Sequence, residues 1–408
     1  MGTSSPTDVS TKLQRVAALA SKTPKMVLTT LAHHIDVEFL HEAYRRTRKD
    51  GAVGVDNQTA AEYAEDLETN LRSLLGRLKS GIYRAPPVRR VYIPKGSGNQ
   101  QRPIGIPTFE DKVLQRAVTM LLDAIYEQDF LDCSFGFRPG RSAHQALDVL
   151  WRGVMGIRGG WVLELDIESF FDAMSHSHLR SFLDQRMRDG VLRRVIDKWL
   201  KAGVLEDGSV KRTKSGSPQG GVVSPILSNI YLHHVLDKWF AQDVRPRLRG
   251  KAFMIRFADD ATMVFSDEHD ARQVMAVLPK RLGRYGLTLH PEKTRLIDFR
   301  MPPRDSNARG GPPRGGSSAS FDLLGFRHYW GRSRRGNRVV LRKTSADRLS
   351  RAHKRMNLFC RNHRHFPVSD QHSLIVKKLR GHYAYYGITG NTRSLNSFWQ
   401  ATTRIQNS

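Results

Sequence analysis

The sequence predicts an α+β fold in which a small split β-α-β-β-α-β sheet holds the chemistry and a basic helical segment follows it. Three observations support this. Trp161-Val-Leu-Glu-Leu-Asp166 is a β-run ending in an acid, Met254 to Phe265 reads as two short apolar runs around adjacent acids, and helical spacing fills the stretches between them. In such a sheet the Asp166 strand lies beside the Asp259-Asp260 hairpin.

Composition narrows the class of partner. The 408 residues carry 66 Lys and Arg against 39 Asp and Glu, a formal charge of +27 that favours a polyanion such as nucleic acid. Hydrophobic residues make up 39%, enough for a folded core. Cys133 and Cys360 stand far apart with no Cys-x-x-Cys pair, so neither a zinc site nor a disulfide framework is expected and a reducing cytosol fits. No run approaches the roughly 18 apolar residues of a membrane span, and the polar opening Met1 to Thr11 is not a secretory signal.

Taken in order, residues 1 to about 25 read as a loosely held tail or a short helix. Glu38 to Lys49 reads as a helix and Asp50 to Asp56 as a Gly-rich loop. Thr59 with Glu62 then forms a capping box that opens a helix running to Gly81, with Tyr63, Leu67, Leu71, Leu74, Leu75 and Leu78 as its apolar stripe. Pro86 to Pro107 reads as a hairpin with Lys95 and Arg102 on its rims, where cations can clamp a phosphate chain. Glu110 to Gln128 is helical. In Ser134 to His144 the glycines Gly136 and Gly140 allow close approach, and Arg138 and Arg141 supply cations for phosphates.

Asp166 sits at a strand end, where a carboxylate is held rigidly. Two helices follow over 176–201, and Ser215 to Pro225 is a Gly/Ser/Pro loop containing Gln219 that opens an apolar helix. Met254 to Phe265 reads as a hairpin whose tip carries Asp259 and Asp260 together. Alone, those acids suit an exposed turn. With Asp166 beside them and Lys95 and Arg102 opposite, they suit a two-metal phosphoryl-transfer site. Glu268 to Tyr285 is a helix, Gly286 to Leu289 a strand, and Pro291 to Phe299, which includes Lys293, a turn and strand; 301–320 is a basic loop. Phe321 to Phe326 and Arg338 to Arg342 read as strands. From Thr344 the chain is helical and basic, with Arg348, Arg351, Lys377, Lys378 and Arg380 interleaved with Tyr383, Tyr385 and Tyr386.

Phe257-Ala-Asp-Asp260 resembles the aromatic-x-Asp-Asp box of reverse transcriptases. Arg102-Pro-Ile-Gly-Ile-Pro107, Ser134-Phe-Gly-Phe-Arg-Pro-Gly-Arg-Ser142, the Asp166 block, Gly216-Ser-Pro-Gln-Gly-Gly-Val-Val-Ser-Pro225, Leu324-Gly-Phe326 and Leu379-Arg-Gly-His-Tyr-Ala-Tyr-Tyr-Gly387 follow in the order of bacterial group II intron-encoded reverse transcriptases. The resemblance spans about residues 35 to 400. It implies a right-hand polymerase, with a tail over 1–30, fingers and palm over 31–340 and a helical thumb over 341–408.

The resemblance also implies roles. Asp166, Asp259 and Asp260 would be catalytic and, with Ile167 through its backbone, would hold two Mg²⁺ ions, Mn²⁺ being the substitute. Lys95 and Arg102 would contact the triphosphate, Ile167 to Phe170 would complete the nucleotide pocket, and Phe171 would exclude a ribose 2′-OH. Gln219 would lie along the nascent base pair. Arg138, Arg141, Lys293, Lys377, Lys378 and Arg380 would meet nucleic acid.

The implied partners are an RNA template, a group II intron RNA aided in splicing, a DNA primer and dNTPs, with no membrane; a homodimer is one open oligomeric state. The implied setting is a mobile element in a bacterial cytoplasm. Relatives usually continue into a DNA-binding and endonuclease region. With the last residue at Ser408, DNA cleavage is not expected. The alternatives are a splicing factor that needs no polymerase activity, a defence or CRISPR-associated reverse transcriptase, and an inactive remnant.

Overall fold

The computed structural model describes residues 6–94, 101–206, 209–211, 216, 220–302 and 319–406. Helix α1 (Pro6–Lys22) buries Val9, Val16 and Ala20 as one stripe and packs on α5, so over these residues the chain takes the helical one of its two expected forms. In α2 (Val37–Arg46), Asp36 caps the N-terminus by accepting from Phe39 N at 2.9 Å. The Thr59–Glu62 capping box forms as expected. The helix it opens divides, however, into α3 (Ala60–Glu65) and α4 (Leu67–Ser80), because Asp66 leaves helical geometry at φ −117° and ψ 40°.

Strands β1 (Val88–Pro94) and β2 (Gln101–Ile106) pair antiparallel, and α5 (Phe109–Tyr126) follows, buried from Val113 to Tyr126 on most sides. Helix α6 (Ala143–Gly156) starts on a Ser142–Gln145 capping box. Then come β3 (Trp161–Leu165), α7 (Phe170–Ala173), α8 (His176–Leu183), α9 (Gly190–Lys201), β4 (Val204–Glu206) and β5 (Ser209–Lys211). The last two strands join the first hairpin in a sheet ordered β2-β1-β4-β5. Helix α10 (Ser224–Leu232) continues through π-helical turns at His233–Asp237 and Trp239–Val244.

Strands β6 (Ala252–Phe257) and β7 (Asp260–Phe265), helix α11 (Glu268–Gly283) and strand β8 (Arg295–Asp298) complete the central sheet, ordered β6-β7-β3-β8 with every pair antiparallel. This is the expected split arrangement, with β3 inserted between β7 and β8. The strand expected at Gly286 to Leu289 reduces to a single bridge, Ile167 with Leu289. A third sheet holds β9 (Ser320–Leu323), β10 (Phe326–Arg332) and β11 (Arg338–Thr344) in the order β11-β10-β9. Its turn at Leu324-Gly325 has φ of +52° and +80°, so the expected Phe321–Phe326 strand is in fact two strands around a tight connection. Helices α12 (Ala346–His363), α13 (Val368–Tyr386) and α14 (Thr392–Gln406) end the chain. Among the described residues no helix is long and apolar enough to cross a membrane.

The two-residue side-chain period sorts the central sheet into two faces. Leu163, Leu165, Met254, Ala261, Met263 and Phe265 enter the large core shared with α10 and α11. Val162, Ile255 and Val264 enter a smaller core with α6 and the third sheet. Beyond that smaller core the second face opens into a cleft.

Candidate active site at the end of the central sheet

The register places the carboxylates. Leu165 pairs with Ala261, so the next residues in line are Asp166 and Asp260, opposite one another on the face that Glu164 and Thr262 share. Phe257 pairs with Asp260, which leaves Ala258 and Asp259 as a two-residue connection. The hairpin tip therefore carries Asp259 alone, and Asp260 is the first residue of β7. The physical reason is Ala258, which takes a left-handed φ of +57° and turns the chain one residue earlier than the Ala-Asp-Asp-Ala pattern suggests.

Charge is concentrated here. Crowding by protein raises the Asp259 pKa, with Asp166 adding to the effect. Asp260 keeps solvent access to the cleft but is pushed up to about 6, first by crowding and then by the negative charges of Asp259 and Asp166. Arg102 from β2 lowers both, and Arg348 from α12 lowers Asp260. Asp166 Oδ2 accepts from Lys293 Nζ at 3.0 Å. An open cleft of about 440 Å³ runs past Asp166, Asp260, Lys293, Arg295, Gly325 and Arg348.

These are hard oxygen donors with mutually unfavourable charge, which suits a divalent cation. As the side chains stand, no three His, Cys, Asp or Glu among the described residues converge as a ligand set, and Lys293 supplies the counter-charge at Asp166. The backbone is compatible with the expected role of Ile167. Glu168 N donates to Thr288 O and His290 N to Asp166 O, both at 2.8 Å, so Ile167's own N–H and C=O face the other way, toward β7 and the acidic turn.

The remaining expected residues divide. Phe170 is buried in the core; Phe171 packs edge-on against it at 5.3 Å between ring centres and is only half-buried. A Cβ on Gly216, φ +93°, would meet the Phe171 and Asp172 backbone at 3.0 Å, so the start of the Gln219 loop rests on the Phe171 turn. Lys95 and Gln219 themselves lie outside the described residues. Arg102, Lys377 and Arg380 are exposed, and Lys378 lies 4.2 Å over the Phe359 ring. Lys378 also lines a basic hollow with Arg348, Arg351 and Arg355.

The two arginines of the 134–142 block differ in exposure. Arg141 pairs with Asp132 at 2.6 Å and remains partly accessible. Arg138 does not present its charge to a partner: its side chain is 3% exposed, pairs with Glu127 at 2.9 Å and donates to the Leu131 and Ser134 carbonyls. The expectation of a phosphate contact there is corrected to a buried clamp on the 127–134 loop. The Glu127 partner, eleven residues upstream, is what removes it from the surface.

Sequence reasoning passed over Arg256. It projects into the helix-facing side of the sheet, the face opposite Asp260, and is 0% exposed. Its Nε and Nη2 donate to Asp237 at 2.7 and 2.6 Å, and Nη2 also to Ser134 Oγ at 2.7 Å. Nη1 donates to Asn229 Oδ1 at 3.0 Å and to Ala258 O at 2.9 Å. A signal was available: Asn229 and Asp237 stand eight residues apart as polar positions in a helical run rich in apolar residues, and a strand that alternates apolar-in needs a buried partner for an inward arginine. Segment 133–135 adds to the β6 edge through Phe135 N to Arg256 O and Arg256 N to Cys133 O, at 2.8 and 2.7 Å.

The chain matches the family model described as reverse transcriptase (RNA-dependent DNA polymerase) over residues 93–328. It is 43% identical over 189 residues to the group II intron-encoded protein LtrA of Lactococcus lactis subsp. cremoris, covering 46% of this chain and 31% of that one. It is 36% identical over 252 residues to protein YkfC of Escherichia coli K12, 60% of this chain and 65% of that one. It is 28% identical over 234 residues to nuclear intron maturase 2, mitochondrial, of Arabidopsis thaliana, 47% of this chain and 30% of that one. The chain thus spans from under a third to about two thirds of these relatives' lengths. A family model matched over more than half of the chain, a stretch that includes all four strands of the central sheet, identifies it as a member of the reverse transcriptase family.

Proposed function

We propose that this chain is an RNA-directed DNA polymerase that adds deoxynucleotides to a DNA primer 3′-OH on an RNA template, and that it also assists the splicing of a group II intron RNA. The observation that most supports the first part is the register that sets Asp166 opposite Asp260, with Asp259 on the adjoining turn, at one end of the central sheet, the proton affinity of the last two being raised. Reverse transcriptases generally use divalent metal ions. In this reading Asp166, Asp259, Asp260 and the Ile167 carbonyl hold two Mg²⁺. When bound, such a pair supplies charge stabilisation to the attacking and leaving oxygens.

The chain's own groups do the rest. Arg102, close enough for its charge to be felt at Asp259 and Asp260, would neutralise the triphosphate together with Lys95. Phe171, half-buried beneath Gly216, would leave no room for a 2′-OH, and Gln219 would lie along the base pair. Pairing with the template supplies sequence, so the protein needs to check only shape and phosphates. Splicing assistance is supported by the intron-encoded relatives and by the basic helices α12 and α13.

The test is extension of a DNA primer on RNA with and without Mg²⁺, for the wild type and for Asp259→Ala/Asp260→Ala. Metal-dependent extension lost in the variant is the expected result; undiminished extension would refute the site. A Phe171→Ala arm should raise ribonucleotide incorporation, and unchanged sugar discrimination removes that assignment. Normal splicing rescue by the double variant would favour the non-polymerising splicing-factor reading.

A further inference from the structure

We infer that Arg256, together with Asp237, is a positioning pair for the Asp259 carboxylate: it fixes the Ala258-Asp259 turn from beneath the sheet and thereby sets the affinity of the site for its divalent cation. The inference rests on the polymerase reading of the three carboxylates. It adds residues on the opposite face of the sheet, which contact neither nucleotide nor metal.

The turn needs such support. Ala258 has a left-handed φ of +57°, a conformation that costs a non-glycine residue about 1 kcal/mol or more and persists only where surroundings enforce it. Two contacts enforce it. Arg256 Nη1 holds the Ala258 carbonyl at 2.9 Å, which fixes the peptide plane leading directly into Asp259. At the edge of β6 Gly136 presses on the turn so closely that a Cβ there would lie 2.2 Å from Ala258 N. Asn229 ties these two supports together, accepting from Arg256 Nη1 at 3.0 Å and donating to Gly136 O at 2.8 Å.

A guanidinium has five N–H donors in a fixed fork, and here five acceptor contacts meet it: two from Asp237 and one each from Ser134, Asn229 and Ala258. A lysine at 256 keeps the charge and can still pair with Asp237. Its three donors radiate from a single atom, so it cannot span all of these acceptors at once. Partners that orient a ligand from outside the coordination sphere are typically worth ten- to a hundredfold in metal affinity.

The experiment measures Mn²⁺ binding to the full chain by the loss of the free-ion electron paramagnetic resonance signal. Thermal unfolding and the half-saturating Mg²⁺ of primer extension are recorded in parallel. Arg256→Lys should weaken Mn²⁺ binding and raise half-saturating Mg²⁺ by about ten- to a hundredfold, with cooperative unfolding retained. Wild-type Mn²⁺ affinity in a folded Arg256→Lys overturns the inference, as does a drop in melting temperature with metal affinity unchanged. If Arg256→Lys does not fold, the same measurement is made on Arg256→Met/Asp237→Leu, which replaces both charges by apolar groups of similar volume. Affinity within twofold of wild type in that variant also overturns it. A wild-type chain that binds no Mn²⁺ and extends no primer refutes instead the polymerase reading, and Asp259→Ala serves as the control for a lost ligand.

Discussion

The two faces of the β6–β7 hairpin handle charge in opposite ways. On the helix side, one arginine is fully buried and each of its N–H groups has an acceptor, most of them side chains from elements far away in sequence. On the cleft side, Asp166 and Asp260 stand opposite one another with Asp259 on the adjoining turn, and among the described residues the direct ion-pair partner is Lys293, half exposed, at Asp166. The first is a closed network that resists change; the second is left with negative charge for something else to neutralise. A polymerase site needs both, since an open set of ligands is useful only if the backbone beneath does not relax to relieve the repulsion.

The contrast can be tested at each face. Removing one member of the closed network should have the largest effect: Asp237→Leu leaves the Arg256 charge buried and unpaired and should destabilise the chain by about 3–5 kcal/mol in denaturant unfolding. A loss below about 1 kcal/mol would mean that water reaches the arginine. Gly136→Ala forces a methyl group into the Ala258 backbone and should cost about 1–3 kcal/mol through overpacking. It should also lower primer extension by more than the lost stability explains, and proportional losses would argue that the turn tolerates displacement.

The open face should respond to pH. Because the Asp260 pKa is raised to about 6, protons compete with the cation there, and Mn²⁺ affinity should fall about tenfold per unit as pH drops below that value. The midpoint should move down as Mn²⁺ is raised. In metal-free protein the sign reverses: a carboxyl that binds its proton more tightly when folded opposes folding once ionised, so stability should rise as pH falls through 6. A flat affinity profile between pH 5 and 7 would remove Asp260 from the ligand set.

What could be read in the sequence was what local rules determine. The Thr59–Glu62 box, the β1–β2 and β6–β7 hairpins and the side-by-side placement of Asp166 and the acidic pair follow from caps, alternation and element order. What could not be read depended on distant partners. The tip of the hairpin moved by a residue because Arg256 and Gly136 hold Ala258 in a conformation alanine rarely adopts. Arg138 looked like a surface cation because nothing in its own block announces Glu127. Strand β10 escaped notice because Arg327 and His328 interrupt its apolar pattern; His328 is nonetheless wholly buried, stacked on Phe321 at 4.7 Å.

The five-donor arginine also constrains how this chain can vary through descent. Exchanging Ser134, Asn229 or Asp237 alone leaves a guanidinium N–H without an acceptor in a site closed to water, and exchanging Arg256 alone leaves Asp237 as a buried anion. Neutral single steps away from this set are therefore scarce. Among homologous sequences these four positions should change together or not at all, whereas residues lining the cleft remain free to follow whatever nucleic acid each lineage copies.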